Sequence, residues 1–338
     1  MPRASARTTL ATAAVAALAL AGCGSSDAPD EPADGSSSAS DGAFPVTIEH
    51  ALGTTTIEEE PVDVVTWGFG STDAALALGV VPVAMPFQEY AGDEEGVLPW
   101  IAEALDGLGA QTPTVLPNTE EVPFEAIAAA DPDVILANYS GLTAQDYALL
   151  TEIAPTVAYP DEAWATPWRD VVTTVGEALG KADEAQALVD ETDATIAEAA
   201  AAHPELAGKS VAAVWDTEGS FYVYEQADPR VEFLSDLGLQ VAPSVSELST
   251  GESTFFYTLS YEELDKLSSD VLLLYSTTPD EAQSFLAAPY AQAMPQVRDG
   301  NVASVVGAQL ISAVSPPTVL SLTWGLDDYL AALSAAVA

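Results

Sequence analysis

The spacing of apolar and polar residues predicts an α/β unit near the start of the folded part of the chain. β-branched runs on either side of Leu52–Gly53 predict a hairpin that begins near Phe44. A short apolar strand follows at 62–65, then a helix over 72–78 and a second strand that runs through Val83. A strand, a helix and a strand in this order are typical of a parallel sheet.

A related arrangement recurs in the second half of the chain. Apolar strands are predicted at 211–215 and 240–242, with an aromatic run at 221–224 and a helix over 230–237 between them. In both units a glycine follows the helix, where a left-handed residue is expected to end it. These glycines are Gly79 and Gly238. The two halves are therefore predicted to form two similar lobes.

A gap-free internal repeat supports this division. Residues 125–136, which begin at Glu125, align with residues 262–273, which begin at Glu262, and each segment has an aspartate just before an apolar run. Each copy predicts a short amphipathic helix with the glutamate in its first turn, followed by a buried strand.

Between the lobes, residues 161–206 have apolar positions at nearly helical spacing and predict one long connecting helix. Whether Gly180 breaks this helix is left open by the pattern, and Asp183 is a candidate cap for a restart. The lobes are accordingly placed at 44–160 and 207–338. A ligand is expected in the cleft between them, because open α/β sheets place their binding loops there.

The N-terminus predicts export and a lipid anchor. Arg3 and Arg7 precede a short apolar stretch that ends in Leu20-Ala21-Gly22-Cys23, the pattern of a secretory signal with a small-residue cleavage site. Residues 1–22 are thus a predicted signal peptide, Cys23 a predicted acylation site, and 23–43 a flexible tether. The protein is then expected on the extracytoplasmic face of a cell membrane. The alternative is a buried cysteine at the end of a core helix.

Composition narrows the function. The chain has 52 acidic residues against 8 Lys and Arg, which excludes nucleic acid as a partner. Cys23 is the single cysteine, so disulfides, thiolate metal sites and cysteine nucleophiles are excluded as well. With only His50 and His203, neither a transition-metal site nor a hydrolase triad is expected. The tripeptide 68–70 is interpreted as a strand-to-helix turn, because it lacks the third glycine of a dinucleotide site.

The lipobox, tether, two lobes and connecting helix together resemble the substrate-binding lipoproteins of ABC importers, in the helical-backbone class that serves ferric siderophores and cobalamin. The segments that carry the resemblance are 64–83, 124–127, 131–136, 153–157, Trp168 with 175–180, and 259–264. The resemblance implies the class III periplasmic-binding-protein fold, α/β with two Rossmann-like lobes. It also implies a monomer without enzymatic activity, cofactor or metal site of its own, which delivers its ligand to permease and ATPase subunits.

In proteins of this family a glutamate on each lobe meets arginines of the permease. The resemblance assigns these roles to Glu125 and Glu262, with Glu263 as a competitor for the second role and Glu120 and Glu121 for the first. The alternative is that carboxylates in a first helical turn only complement the helix dipole.

Siderophore sites in this family are shallow and aromatic, with one or two arginines that reach the iron chelate. Ligand-binding candidates are therefore the residues at strand ends, each of which has packing on the sheet edge as its alternative. They are Trp67, Phe69, Asn138, Tyr139, Trp215, Tyr222, Tyr224 and Tyr275. Arg230 is the candidate cation, with a pairing to Glu232 or Asp236 as its alternative, while Arg169 is expected in a surface salt bridge and Arg298 in a structural turn.

Charge ranks the ligands. An anionic tricatecholate needs several clustered cations in so acidic a protein, whereas a neutral or cationic trihydroxamate needs aromatic walls and one or two donors. Ferric hydroxamates are therefore ranked first, then cobalamin or haem, then catecholates and citrate. A secreted α/β hydrolase and a structural or sensory lipoprotein are the competing functional classes.

Overall fold

A computed structural model describes residues 43–119 and 121–338, which form two α/β lobes and a helix pair between them. The predicted signal segment 1–22, Cys23 and the tether up to residue 42 lie outside the described residues. Within the described ranges, no helix is both long enough and apolar enough to span a bilayer.

The N-terminal lobe is built on a five-stranded parallel sheet with the order β5-β4-β3-β6-β7. Its strands are β3 (Val64–Thr66), β4 (Ala84–Met85), β5 (Thr114–Val115), β6 (Val134–Leu136) and β7 (Thr156–Val157). The predicted hairpin is confirmed as β1 (Val46–His50) and β2 (Gly53–Ile57). The helices are α1 (Ser71–Ala77), α2 (Pro99–Gly107), α3 (Phe124–Ala129) and α4 (Ala144–Thr151). Strands β3 and β6 are fully buried, as expected for strands covered on both faces.

The connection between the lobes is a pair of helices, α5 (Trp168–Ala178) and α6 (Ala182–Ala202). Gly180, at φ +69°, breaks the predicted helix and answers the question that the sequence left open. The two helices pack closely, because a Cβ at Gly176 would lie 2.2 Å from the Cβ of Ala185. Asp183 does not cap α6. Lys181 is the N-cap residue, and Asp183 lies in the first turn.

The C-terminal lobe has a mixed sheet in which β11-β9-β8-β12-β13 lie side by side and β10 pairs with the start of β8. Its strands are β8 (Ser210–Thr217), β9 (Ser220–Tyr224), β10 (Gln240–Val241), β11 (Phe256–Thr258), β12 (Val271–Ser276) and β13 (Val302–Val306). The helices are α7 (Pro229–Asp236), α8 (Pro243–Leu248), α9 (Pro279–Ala287), α10 (Pro295–Asp299), α11 (Ala308–Ala313) and α12 (Val319–Ala335), with 3₁₀ turns at Leu264–Lys266 and Ala291–Ala293. Strands β10, β8, β12 and β13 are parallel to one another. Strand β9 pairs antiparallel with β8, and β11 pairs antiparallel with β9.

The aspartates of the internal sequence repeat make equivalent contacts in the two lobes. Asp133 Oδ2 accepts the backbone N–H groups of Val62 and Asp63 at 2.8 and 2.9 Å, and Asp270 Oδ2 accepts the N–H and hydroxyl of Ser210 at 2.8 and 2.7 Å. Each aspartate thus joins the first core strand of its lobe to the repeated strand. The helix predicted at the start of the second copy is wrong, because Glu262 lies in a turn before the 3₁₀ segment.

One apolar core runs through both lobes and the helix pair. Helix α12 belongs to the C-terminal lobe but also packs against α1 and α2 of the first lobe. The contact is formed by a separate hydrophobic cluster, in which Ala313 and Trp324 pack against residues of α1 and α2. The lobes are therefore joined at two places, which favours a cleft of limited opening.

Candidate functional site

The candidate site lies at the carboxyl ends of the core strands, where the two lobes face each other. Trp67 directly follows β3, Tyr139 follows β6 after two residues, and Trp215 lies near the end of β8. Because the carboxyl ends of parallel strands meet at one edge of a sheet, Trp67 and Tyr139 lie at that edge of the N-terminal sheet and Trp215 at that edge of the C-terminal sheet.

Three rings form the wall contributed by the N-terminal lobe. Phe69, Tyr139 and Trp164 meet edge to face in a triangle with centroid distances of 6.0, 6.1 and 6.2 Å. The turn below them requires Gly68, which has φ +82° and where a Cβ would lie 2.3 Å from the carbonyl oxygen of Tyr139. The segment 68–70 is thus the strand-to-helix turn that the sequence predicted.

Trp164 is a candidate that sequence reasoning missed. It is 43% exposed and has φ +63°, a conformation that is unusual for a bulky residue and is often found at functional sites. Its indole lies against Gly141, where a Cβ would approach to 2.4 Å. Trp164 and Trp67 together line a recess of about 440 Å³. The sequence feature that could have indicated Trp164 is its position in a polar loop between Pro160 and Pro167.

The wall contributed by the C-terminal lobe contains Trp215 and Tyr222, both partly exposed. Tyr222 packs edge to face on Phe256 at 5.6 Å, and Trp215 lies 6.3 Å from Tyr275. The ligand contact expected of Tyr275 is corrected. Its side chain is fully buried and its hydroxyl lies 3.3 Å from that of Tyr329, so it supports Trp215 from below.

Asn138 also lies below the surface. It is fully buried, and its Oδ1 accepts a hydrogen bond from the hydroxyl of Ser71 at 3.2 Å. Among the described residues its Nδ2 has no hydrogen-bond partner. Asn138 therefore fixes the start of α1 to the end of β6 and does not line the cleft.

Arg230 is the cation of this wall. Its guanidinium lies over the ring of Tyr224, with Cζ 3.7 Å from the centroid. Nε donates to Oδ1 of Asp228 at 2.7 Å, and Nη2 donates to Oδ2 at 2.9 Å. The alternative pairing with Glu232 or Asp236 is therefore wrong. Burial alone would lower the pKa of Arg230, but the carboxylate of Asp228 raises it overall.

Residues of opposite lobes meet across the cleft. Tyr90, in the loop after β4, has its ring 6.1 Å from Trp215 and its hydroxyl 3.4 Å from that of Thr277. Burial, followed by the charge of Asp228 in the other lobe, raises the pKa of Tyr139. Tyr90, on an irregular loop without a strand signal, was missed by sequence reasoning.

The other two arginines in the described part of the chain serve the scaffold. Arg169 Nη2 lies 2.6 Å from Asp193 and 2.9 Å from Asp236, so it ties α5 to α6 and α7. Arg298 lies in the last turn of α10, before the left-handed Gly300. Both outcomes agree with the expected structural roles.

The two predicted docking glutamates are exposed. Glu125 lies in the first turn of α3, and Glu262 lies in the turn before the 3₁₀ segment. The competitor Glu263 forms an ion pair with Lys266 at 2.5 Å. Glu121 is exposed as well, whereas Glu120 lies outside the described residues.

Neither histidine has the geometry of a hydrolase triad. His50 Nε2 is bonded to the hydroxyl of Thr55 at 3.0 Å, in the first hairpin. The hydroxyl of Ser334 and the carboxylate of Glu205 both lie at Nδ1 of His203, at 2.8 and 3.0 Å. A triad needs its nucleophile and its carboxylate on opposite ring nitrogens. Among residues 43–119 and 121–338, no group of three or more His, Cys, Asp or Glu side chains is arranged to hold a metal ion.

Comparison with known proteins identifies relatives. The sequence pattern of a family described as periplasmic binding protein matches residues 64–306. The crystal structure of PiaA from Streptococcus pneumoniae in complex with ferrichrome superimposes with a TM-score of 0.79 at 34% identity, over 86% of this chain and 98% of PiaA.

Two curated relatives are more distant in sequence. The probable siderophore-binding lipoprotein YfiY of Bacillus subtilis is 28% identical over 70% of each chain. The Fe(3+) dicitrate-binding periplasmic protein FecB of Escherichia coli is 28% identical over 61% of this chain and 66% of its own. The ligands in the printed names of PiaA and FecB thus differ, with ferrichrome for one and Fe(3+) dicitrate for the other.

Proposed function

Because this chain belongs to the periplasmic binding protein family, we propose that it captures a ferric siderophore between its lobes and delivers it to the permease of an ABC importer. The observation that carries the proposal is the cleft itself, with aromatic walls from both lobes and the guanidinium of Arg230 in the wall of the C-terminal lobe. Rings of this size supply a large apolar contact area to a bulky ligand. The chain also has the class III periplasmic-binding-protein fold, which is a fold of substrate-binding proteins.

The favoured ligand class is the ferric trihydroxamates. Arg230 offers hydrogen-bond donors at the outer edge of its guanidinium, while its charge is matched by Asp228. An anionic chelate would meet a protein with a net charge of −44 that has only 8 Lys and Arg residues against 52 acidic ones. The ferrichrome-bound structure of PiaA supports this choice. Ferric citrate, named for FecB, is the main competitor.

Tryptophan fluorescence gives a direct test. The chain has six tryptophans, so ferrichrome and ferrioxamine should produce saturable quenching, whereas ferric enterobactin, ferric dicitrate and cobalamin should not. Trp164→Ala should weaken trihydroxamate binding about tenfold or more, as expected for a central aromatic contact. Trp324→Phe is the matched control, because Trp324 lies on α12 and packs against Trp100, away from the cleft rings. Saturable quenching by the catecholate alone would overturn the proposal.

Docking and anchoring complete the proposed role. Glu125 and Glu262 are proposed to meet basic residues of the permease, which their exposure and their equivalence in the repeat support. Cys23 is proposed to carry the lipid that holds the monomer at the extracytoplasmic face. In cells, Glu125→Ala/Glu262→Ala should abolish uptake of the ferric complex and leave binding by the purified protein unchanged. Cys23→Ala should release the protein from the membrane. Normal uptake by the double variant, or membrane retention of Cys23→Ala, would contradict the respective role.

A further inference from the structure

The ion pair of Asp228 and Arg230 is the feature of the cleft that bears most directly on which ferric complexes it would bind. The side chain of Asp228 is 1% exposed, and that of Arg230 is 16% exposed. The two carboxylate oxygens of Asp228 accept hydrogen bonds from Nε and Nη2 of Arg230. Asp228 Oδ1 also accepts the backbone N–H of Arg230 at 2.9 Å and caps α7. One carboxylate thus fixes both the helix start and the guanidinium.

The pair is held in place on its flat side as well. The ring of Tyr224 lies 3.7 Å from Cζ of Arg230, and Tyr224 packs edge to face on the buried Tyr275. The two hydrogen bonds to Asp228 use Nε and one N–H of Nη2, so the pair leaves over the second N–H of Nη2 and the two on Nη1 as donors. The cleft therefore presents a donor whose positive charge is already matched.

We propose that Asp228 sets the selectivity of the cleft by neutralising Arg230, so that uncharged ferric complexes are bound in preference to anionic ones. This inference rests on the proposed function. A buried charge that is paired and hydrogen-bonded contributes little net field to a third group, whereas the same guanidinium without its partner would attract an anion strongly at short range. Asp228 is a positioning residue, because it holds Arg230 and offsets its charge while its own side chain is only 1% exposed.

Asp228→Asn is the central variant, because asparagine retains the shape and the capping ability of aspartate while removing its charge. The readout is the ratio of two dissociation constants, that for ferric dicitrate or ferric enterobactin divided by that for ferrichrome. This ratio should fall by about tenfold or more, since one unpaired guanidinium acts on an anion a few ångströms away. Ferrichrome affinity itself should change by no more than about threefold.

Three further variants separate the effect of the pair from that of total charge. Arg230→Gln leaves the carboxylate alone and should raise the ratio by about tenfold, which also tests the proposal should Asp228→Asn not fold. The double variant Asp228→Asn/Arg230→Gln removes both charges and should restore the wild-type ratio, because the intact ion pair is also neutral overall. Asp193→Asn is the matched control, because it removes the same charge from the ion pair of Arg169 outside the cleft.

The outcomes distinguish the two levels of the argument. If the wild-type protein binds no ferric complex, the proposed function fails and the inference fails with it. If the wild type binds ferrichrome but Asp228→Asn leaves the ratio unchanged, or Asp193→Asn shifts it equally, the inference alone is overturned. If Asp228 had a purely structural role, Asp228→Asn would weaken the binding of both ligands together and would not strengthen the binding of the anionic one.

Discussion

Asp73 and Asp228 are buried aspartates at the starts of helices in opposite lobes, and they differ in what faces the carboxylate. Asp228 caps α7 and meets the guanidinium of Arg230. Asp73 lies in the first turn of α1, where the indole of Trp100 and the hydroxyl of Thr318 donate to its Oδ1. Asp228 therefore has a cationic partner, and Asp73 has neutral donors.

The difference shows that burial does not by itself determine the charge of a site. Burial raises the pKa of Asp73 to about 6, although hydrogen bonds from Thr318 and Trp100 oppose the shift. Neutral donors compensate only part of the cost of removing a carboxylate from water, whereas a guanidinium in a forked contact supplies a full opposite charge. In this protein the cation is placed at the cleft and the neutral donors at the joint with α12.

The largest expected effect is on the pair with the cation. Asp228→Ala should lower the free energy of unfolding by about 4 kcal/mol, because it leaves a buried guanidinium without its partner and removes a helix cap. Asp193→Ala is the matched comparison. Asp193 is 40% exposed, and in the variant Arg169 still forms its ion pair with Asp236. The free energy of unfolding should therefore fall by less than about 1 kcal/mol. Urea unfolding of the two ligand-free variants, followed by circular dichroism, measures both changes in stability. Equal losses of stability would contradict the difference expected between the buried and the exposed ion pair.

Much of this fold was predictable because it depends on local patterns. The strand-helix-strand units, the first hairpin and the left-handed Gly79 and Gly238 follow from hydrophobic spacing and turn chemistry. The positions of Trp67, Tyr139 and Trp215 at or just after strand ends were predictable for a related reason. Side chains just after parallel core strands must meet at one edge of the sheet.

The features that were missed depend on contacts between distant residues or on irregular backbone. A salt bridge of Arg169 was expected, but its partners were not, because Asp193 and Asp236 are separated from it by 24 and 67 positions. Trp164 takes its position from a left-handed backbone that no apolar pattern indicates. For Arg230, partners farther along the same helix were considered, whereas the real one is the cap residue two positions before it.

The smaller effect concerns the buried aspartate without a cation. The folded protein favours protonated Asp73, since its pKa rises from 3.8 to about 6. The stability that this proton contributes is present below the unfolded pKa and is lost as the pH rises through about 6. Relative to Asp73→Asn, the wild type should therefore lose about 3 kcal/mol between pH 3.5 and pH 7.

The amide variant isolates this charge from the hydrogen bonds. Trp100 and Thr318 both donate to Oδ1 of Asp73, so an asparagine oxygen in the same place can accept both. Urea titrations of the two proteins across this pH range should give stability curves that diverge as the pH rises, with the variant more stable at neutral pH. Parallel curves would mean that the carboxylate of Asp73 is as well stabilised as if it had a cation, and the contrast with Asp228 would be lost.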